Sequence, residues 1–182
     1  MAPLPRTIIL PVNESPECNH TVSWAAKYLL RKEDTVVLLH FRPQISVFDH
    51  FVKADGSGTA VADGKTVTPD VKLHMVEDTY KSIGEDVLHK AGQPIAAEGI
   101  EYETKVIESG HIQEAICSAA KELGATMVVL GGREMGIVQR ALLGSISDYV
   151  IHHAPCPVLL VKKNETEETA ALETSSSKQH EK

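Results

Sequence analysis

Four short apolar runs constrain the fold of this 182-residue chain more than any other feature of its sequence. They are residues 8–12 (IILPV), 36–39 (VVLL), 127–130 (MVVL) and 158–161 (VLLV). Each is too short for a buried helix and consists mostly of β-branched residues and leucine, which is typical of strands buried on both faces of a parallel sheet. Residues 100–106 instead alternate apolar or neutral side chains with charged ones, so we predict that this strand lies at an edge of the sheet.

Helical patterns fill the segments between these strands, and they predict helices over residues 15–29, 70–91, 110–124 and 145–153. Ser15, which precedes a proline, is predicted to cap the first helix. Gly92 and Pro94 predict the end of the second helix. Ser145 and Asp148 have a spacing similar to that of a capping box, so we expect Ser145 to begin the fourth helix as its N-cap.

The alternation of strands and helices predicts one α/β domain, residues 1–162, built on a parallel sheet with helices on both of its faces. Residues 42–68 contain three glycines and few apolar positions in register, and we interpret them as a long loop without predicted order. Residues 163–182 are rich in Glu, Thr, Ser and Lys, a composition that favours a disordered tail.

Composition and charge exclude several classes of protein. The net charge is −7 and no run of Lys and Arg is present, so we expect binding neither to nucleic acid nor to an anionic membrane surface. No apolar run approaches the roughly 20 residues of a membrane span. The three cysteines are widely spaced and form no Cys-x-x-Cys motif, which favours a reducing compartment and predicts a cytoplasmic location.

Neither a metal site nor a catalytic set is discernible in the sequence. His152 and His153 are adjacent, but no carboxylate or thiol with metal-ligand spacing accompanies them, so we interpret both as structural. His40 ends a predicted strand and could act as a base, although a packed or hydrogen-bonded histidine is the more economical interpretation. The sequence therefore favours a binding protein over an enzyme.

The last strand, Val158–Val161, is apolar throughout and is expected at a sheet edge. Exposed apolar edges invite pairing with another chain. Self-pairing across a two-fold axis would cover this edge and predicts a homodimer. Coverage by the tail or by the long loop is the alternative.

The segment over residues 130–147 (LGGREMGIVQRALLGSIS) has the features of a phosphate site. It follows an apolar strand, begins with glycines and ends with Gly144-Ser145 at a helix start. Glycine allows backbone N–H groups to approach phosphate oxygens, and a helix N-terminus adds free donors and partial positive charge. Arg133 and Arg140 could add charge. The segment contains neither a Walker motif nor Gly-x-Gly-x-x-Gly.

With its continuation DYVIHHAPCPVLLVK, this segment resembles the C-terminal signature of universal stress proteins, a family that binds ATP through Gly-x2-Gly-x9-Gly-[Ser/Thr]. Gly131 matches the first glycine of the motif, and Gly144-Ser145 match the final pair. Glu134 occupies the position of the second glycine, where it brings a side chain and a negative charge. The flanking Gly132 and Gly136 could restore flexibility to the segment.

The N-terminal residues are also similar to this family. The stretch IILPVNESPECNHTVSWA resembles the family's first strand and helix, with Asn13 where an Asp is typical, and TVVLLHFRP resembles the second strand. The resemblance implies an open five-stranded parallel sheet in the order 3-2-1-4-5 with Rossmann-like topology. It places a nucleotide at the carboxyl ends of the strands, with adenine near Pro11, Asn13 and Phe41 and with ATP or AMP, and Mg²⁺ if present, as the ligand. It also implies dimerisation through the last strand.

The nucleotide-binding residues that this resemblance implies lie in three parts of the chain: Pro11, Val12, Asn13; Phe41; and Leu130, Gly131, Gly132, Arg133, Gly136, Arg140, Gly144, Ser145, Ile146 and Ser147. We therefore predict an adenine-nucleotide-binding homodimer with a role in stress response. The alternative is a nucleotide-free dimeric interaction protein of the same fold, in which Glu134 fills the pocket. Slow ATP hydrolysis is the most that the resemblance implies in the way of catalysis.

Overall fold

The computed structural model describes residues 5–42, 60–62, 65–67, 69–132 and 144–162, and over residues 60–76 it describes the backbone alone. Its strands are β1 (Thr7–Val12), β2 (Thr35–Arg42), β3 (Ala60–Ala62), β4 (Lys65–Val67), β5 (Tyr102–Glu108), β6 (Met127–Gly131) and β7 (Val158–Val161). Its helices are α1 (Pro16–Tyr28), α2 (Pro69–Ala97), α3 (Ile112–Glu122) and α4 (Ser145–His153).

Five of the strands form one parallel sheet in the order β5-β2-β1-β6-β7. Counted among these five, the order is 3-2-1-4-5, which confirms the predicted fold class. The alternating strand β5 and the apolar strand β7 lie at the two edges, as predicted. A separate antiparallel pair, β3 with β4, falls within the predicted loop over residues 42–68 and was not predicted. Residues 43–59 and the tail 163–182 lie outside the described residues.

Successive residues of the buried strands point to opposite faces of the sheet and contribute to two separate cores. Ile8 and Leu10 of β1 pack with residues of α1 and α2, whereas Ile9 packs with residues of α3 and α4. All three side chains are at most 1% exposed. Burial on both faces explains why these strands appear in the sequence as continuous apolar runs.

The second helix does not end at Gly92 and Pro94, as the sequence analysis predicted, but continues to Ala97. Tertiary packing overrides the stop signals. Ile95 is fully buried in the core on the α1 and α2 side and anchors the additional turn. Gly92 lies against the ring of Tyr102, and a Cβ at this position would overlap that ring. The glycine therefore serves close packing between α2 and β5 and does not end the helix.

The predicted start of the edge strand at residue 100 is also wrong, because β5 begins at Tyr102. Gly99 has φ +69°, the left-handed conformation that commonly follows a helix. The N–H of Gly99 donates to Ala96 O at 2.9 Å and the N–H of Ile100 donates to Ile95 O at 3.3 Å. These two bonds form a Schellman motif, and they hold Ile100 in the core as part of the helix end.

The first helix begins as predicted, since the Ser15 side chain accepts the N–H of Cys18 at 3.2 Å and caps α1. The fourth helix differs from the prediction. Its N-cap is Gly144, with φ −59° and ψ 148°, and Ser145 is the first helical residue. The predicted capping box at Ser145 and Asp148 is therefore wrong, because a residue inside the helix cannot cap it with its side chain.

Candidate functional site

A cavity of about 300 Å³ opens at the carboxyl edge of the sheet. Its position follows from the divergence of β1 and β6, which pair at Ile8 with Met127 and at Ile9 with Val128. Beyond these pairs β1 continues for three residues and β6 also for three. The helices that follow these strands leave in opposite directions, since α1 packs on one face of the sheet and α4 on the other. Ligands of open α/β sheets bind at such a switch point.

The cavity has an apolar half and a polar half. The apolar half belongs to the α3 and α4 face of the sheet, and its residues are Phe41, Ile112, Ile116, Leu130 and Ile146. The polar half is built where β1 passes into α1 and where α4 begins. Its residues are Pro11, Val12, Asn13, Ser15, Glu17, Cys18, Gly131, Gly144, Ser145 and Ser147. The pairing of β1 with β2 ends at Val12 and His40, so Phe41 projects one residue past the end of β1.

Helix α1 approaches β6 closely at Gly131, a residue that lines the cavity. A Cβ on Gly131 would lie 2.8 Å from Thr21 Oγ1 and 3.3 Å from the backbone oxygen of Glu17. Thr21 is buried, and its hydroxyl donates to Glu17 O at 2.7 Å. Any larger residue at position 131 would therefore push the first turn of α1 away from the sheet.

Helices α1 and α4 both begin at the polar half of the cavity, and the start of α1 is closed by its own side chains. Asn13 Oδ1 accepts the N–H of Ser15 at 3.0 Å, and Ser15 Oγ accepts the N–H of Cys18. The N–H of Asn13 donates to Cys18 Sγ at 3.3 Å. The residue after Ser15 is a proline, which has no N–H. The start of α1 therefore has few backbone donors left for a ligand.

The N-terminus of α4, at the same half of the cavity, is open. Gly144 has no side chain with which to cap the helix, and among the described residues no side-chain cap is present there. Gly144, Ser145, Ile146 and Ser147 all line the cavity. A helix start without a cap presents free N–H groups and the positive end of the helix dipole. This is the part of the cavity best suited to an anion.

Of the described residues that line the cavity, Glu17 alone carries a charge. Burial raises the pKa of the neighbouring Cys18 thiol, against the opposing effect of the hydrogen bond from Asn13. Cys18 is therefore a protonated, packed thiol at neutral pH. His40, considered above as a base, points its Nδ1 at the Val12 carbonyl oxygen at a distance of 3.1 Å, which is a structural hydrogen bond.

The structure brings together ten of the fourteen residues implied by sequence. These are Pro11, Val12, Asn13, Phe41, Leu130, Gly131, Gly144, Ser145, Ile146 and Ser147. Gly132 is not among the residues that line the cavity, and its N–H donates to Val161 O of β7 at 2.8 Å. Arg133, Gly136 and Arg140, together with Glu134, lie outside the described residues.

Five lining residues were missed by the sequence reasoning, namely Ser15, Glu17, Cys18, Ile112 and Ile116. The first three belong to the start of the helix that follows β1, and a helix following a parallel strand begins at the carboxyl edge of the sheet. The predicted N-cap at Ser15 could therefore have indicated them. Ile112 and Ile116 are four residues apart on α3, the spacing of one helix face.

Two further observations concern the described residues. Within the described ranges, no group of three or more His, Cys, Asp or Glu side chains is placed to hold a metal ion. In the same part of the chain, no helix combines the length and the apolar character needed to cross a membrane.

Comparison with known sequences identifies relatives over most of the chain. The sequence model of the universal stress protein family matches residues 5–162. Universal stress protein PHOS32 of Arabidopsis thaliana is 27% identical over 161 residues, which are 86% of this chain and 64% of that protein. The chain thus spans less than two thirds of that relative. A universal stress protein of Thermus aquaticus is 40% identical over 124 residues, 68% of this chain and 90% of that protein.

Comparison with solved structures finds the same fold. A universal stress protein family protein from Arabidopsis thaliana with AMP bound has a TM-score of 0.59 and 19% identity, over 90% of this chain and 95% of that one. The universal stress protein from Archaeoglobus fulgidus in complex with dAMP has a TM-score of 0.54 and 20% identity, over 86% and 98% of the two chains. At these identities the likeness concerns the fold.

Proposed function

The chain belongs to the universal stress protein family, and we propose that the cavity at the carboxyl edge of its sheet binds an adenine nucleotide. The observation that carries this proposal is the junction of an apolar half with an uncapped helix N-terminus in one cavity. An adenine ring needs apolar walls, and a phosphate needs N–H donors at a helix start. The volume of about 300 Å³ lies at the lower end of the range for small-molecule sites.

The two helix starts in the polar half of the cavity define the orientation of the ligand. Because the N-terminus of α1 is closed by Asn13 and Ser15, the phosphate lies at the open N-terminus of α4. The adenine ring lies in the apolar half, near Phe41 and the end of β1. Similar structures contain AMP and dAMP, which supports an adenine nucleotide as the ligand class. The proposed ligands are AMP and ATP, the latter with Mg²⁺ held by its phosphates.

The proposed role is that of a nucleotide-responsive protein in a stress response, acting as a homodimer in the cytoplasm. Two observations support this role. Cys18, Cys117 and Cys156 are free thiols, as suits a reducing compartment. The strand β7 lies at a sheet edge with Val158, Leu159 and Leu160 half-buried, a surface that a second copy would cover.

Titration of the full chain with AMP, with ATP in the presence and absence of Mg²⁺, and with adenosine tests the proposal. The informative variant is Gly144→Asp, and Gly144→Asn is its matched control. Aspartate caps the helix donors and adds a negative charge where the phosphate is expected, whereas asparagine caps them without charge. We expect Gly144→Asp to weaken AMP binding at least tenfold, Gly144→Asn to weaken it less, and both to leave adenosine binding close to that of the wild type.

Calorimetry reports the affinities, and thermal unfolding shows that the variants fold, since both new residues are favourable N-caps. A wild-type protein that releases no nucleotide on denaturation and gives no heat with any of these ligands would contradict the proposal. Such a result would favour the nucleotide-free interaction protein. Unchanged AMP binding by Gly144→Asp would show that the phosphate lies elsewhere.

A further inference from the structure

Glu17 stands in the first turn of α1, and its position directs its side chain beyond the carboxyl end of β6. Thr21, four residues later, lies on the same face of the helix, and its Oγ1 lies 2.8 Å from the point that a Cβ on Gly131 would occupy. Helical side chains lean towards the helix N-terminus, so Glu17, one turn earlier, projects past Gly131. This direction leads to the polar half of the cavity, which Glu17 lines together with Gly144 and Ser145.

The carboxylate of Glu17 is not neutralised by its described neighbours. Among the described residues, no Lys, Arg or His side chain forms an ion pair with it. Burial raises the pKa of the neighbouring Cys18 thiol, and the negative charge of Glu17 raises it further, so this charge acts on the cavity wall. Glu17 is half-buried, and its charge is therefore screened less by water and salt than that of an exposed carboxylate.

The polar half of the cavity thus presents opposite charges to a phosphate. The uncapped start of α4 contributes roughly half a unit of positive charge, and this effect falls off within the first turn. Glu17 contributes a full negative charge. One phosphate placed at the start of α4 gains N–H donors that offset the repulsion by Glu17. Each further phosphate adds negative charge and finds no second open helix start among the described residues that line the cavity.

We propose that Glu17 is a specificity-determining residue that selects nucleoside monophosphates against metal-free di- and triphosphates. The inference rests on the proposed function and names the ligand that the same cavity prefers. The carboxylate acts through its charge and needs no direct contact with the ligand. A divalent cation on the triphosphate neutralises part of the ligand charge and therefore reduces the discrimination.

The variant Glu17→Gln removes the charge and keeps the shape of the side chain. Calorimetric titration of the full chain with adenosine, AMP, ADP and ATP, at about pH 8 and without Mg²⁺, provides ligands that differ mainly in charge. We expect the variant to bind adenosine like the wild type, AMP about twofold more tightly and ATP about tenfold more tightly, the order of magnitude of charge repulsion near a protein surface. Mg²⁺ or high salt should reduce the gain for ATP.

The matched control is Glu14→Gln, which removes the same charge three residues earlier. Glu14 precedes α1, its side chain is 69% exposed, and it is not among the residues that line the cavity. This variant should keep all four affinities within about twofold of the wild type, because an exposed charge is screened by water and salt. An equal gain of ATP affinity in both variants would assign the effect to the net charge of the protein and overturn the proposal.

The charge series also separates the role of Glu17 from that of the cavity itself. A gain that is equal for adenosine and ATP would show that the substitution changes packing, and it would overturn the proposal. Unchanged or weaker binding of ATP by Glu17→Gln, with AMP bound by the wild type, would overturn it and leave the proposed function in place. Failure of the wild type to bind any of the four ligands would instead reject the proposed function, and the inference with it.

Discussion

Thr21 Oγ1 lies 2.8 Å from the point that a Cβ on Gly131 would occupy, so helix α1 rests on strand β6 with no room for a side chain between them. Gly131 itself lines the cavity. The contact with Thr21 explains in packing terms why glycine stands at the carboxyl end of β6. It also allows the contribution of this glycine to the fold to be measured separately from any role in ligand binding.

We expect Gly131→Ala to lower the free energy of unfolding by about 1–3 kcal/mol, because the new methyl group overpacks a buried contact. Urea denaturation measures the change. Gly110→Ala is the control, since a Cβ at Gly110 has no atom within 4 Å. Removing the Thr21 methyl and hydroxyl in Thr21→Ala should restore part of the loss. An additive double variant would show that Thr21 is not the cause of the strain.

A second glycine contact predicts a substitution that destabilises the wild-type protein but stabilises a variant in which the neighbouring ring is removed. A Cβ on Gly92 would overlap the ring of Tyr102, so Gly92→Ala should destabilise the protein by about 1–3 kcal/mol. In a Tyr102→Val background the space is free, and the same substitution should stabilise α2 by up to about 1 kcal/mol through helix propensity. Chemical denaturation of the four proteins checks this. Stabilisation by Gly92→Ala alone would contradict the packing described here.

These two glycines show how far the sequence determines the fold and where it does not. The four apolar runs predicted β1, β2, β6 and β7, and the alternating pattern predicted the edge strand β5, because the burial of a strand's faces leaves a local pattern in its sequence. The end of α2 was misplaced, because Gly92 and Pro94 are stop signals only for an isolated helix. The contact with Tyr102 and the burial of Ile95 depend on tertiary packing, which the local sequence pattern does not encode.

The same distinction applies to the candidate site. Gly131 and Gly144 could be predicted from the glycine-rich segment between a strand and a helix start, whereas Pro11 and Asn13 were implied by the resemblance to the family. Ile116 could not be assigned to the cavity in the same way, since as a residue of an amphipathic helix it is indistinguishable in sequence from any other core position. Its place there depends on how α3 packs against the sheet.

The stability of the protein should depend on pH through Asp34. Burial alone would raise the pKa of this carboxyl group, but hydrogen bonds from Arg6 and from the Arg31 N–H outweigh it and lower the pKa below its usual value. Arg6 Nε donates to Asp34 Oδ1 at 2.7 Å, and the Asp34 side chain is only 3% exposed. A lowered pKa means that this stabilisation is complete above the pKa of the unfolded state, about 3.9. It is lost as the pH falls through the pKa of the folded state.

We expect Asp34→Asn to cost about 2 kcal/mol at pH 7, because it leaves Arg6 without its partner. The difference from the wild type should shrink as the pH falls below about 4. Denaturation at a series of pH values measures it. Glu103→Gln, at an exposed carboxylate of β5, is the control and should change stability little. A difference that stays constant down to the lowest pH would refute the assignment to Asp34.

The edge strand β7 provides a test of the proposed homodimer that leaves the sheet itself intact. Val128 N donates to Pro157 O, and Gly132 N donates to Val161 O. In a parallel pair, every second residue of a strand directs its backbone N–H and C=O groups at the neighbouring strand. Pro157 and Val161 do so towards β6, so Val158 and Leu160 direct their backbone groups towards the open edge. Pairing of β7 with β7 of a second copy would use these groups, and their amide hydrogens should exchange slowly only at concentrations where the protein is dimeric.

We expect Val158→Pro to remove one of the two outward N–H donors on this edge and to shift the protein from dimer to monomer. Val158→Thr retains the N–H and the branched side chain and should remain dimeric. Light scattering after gel filtration gives the mass of each protein, and thermal unfolding at the same concentrations shows whether the variants fold. The edge is the interface if the proline variant is a folded monomer. A monomeric wild type would contradict the homodimer itself. The edge is not the interface if all three proteins are dimers, because a dimer that survives the loss of an edge donor associates through another surface.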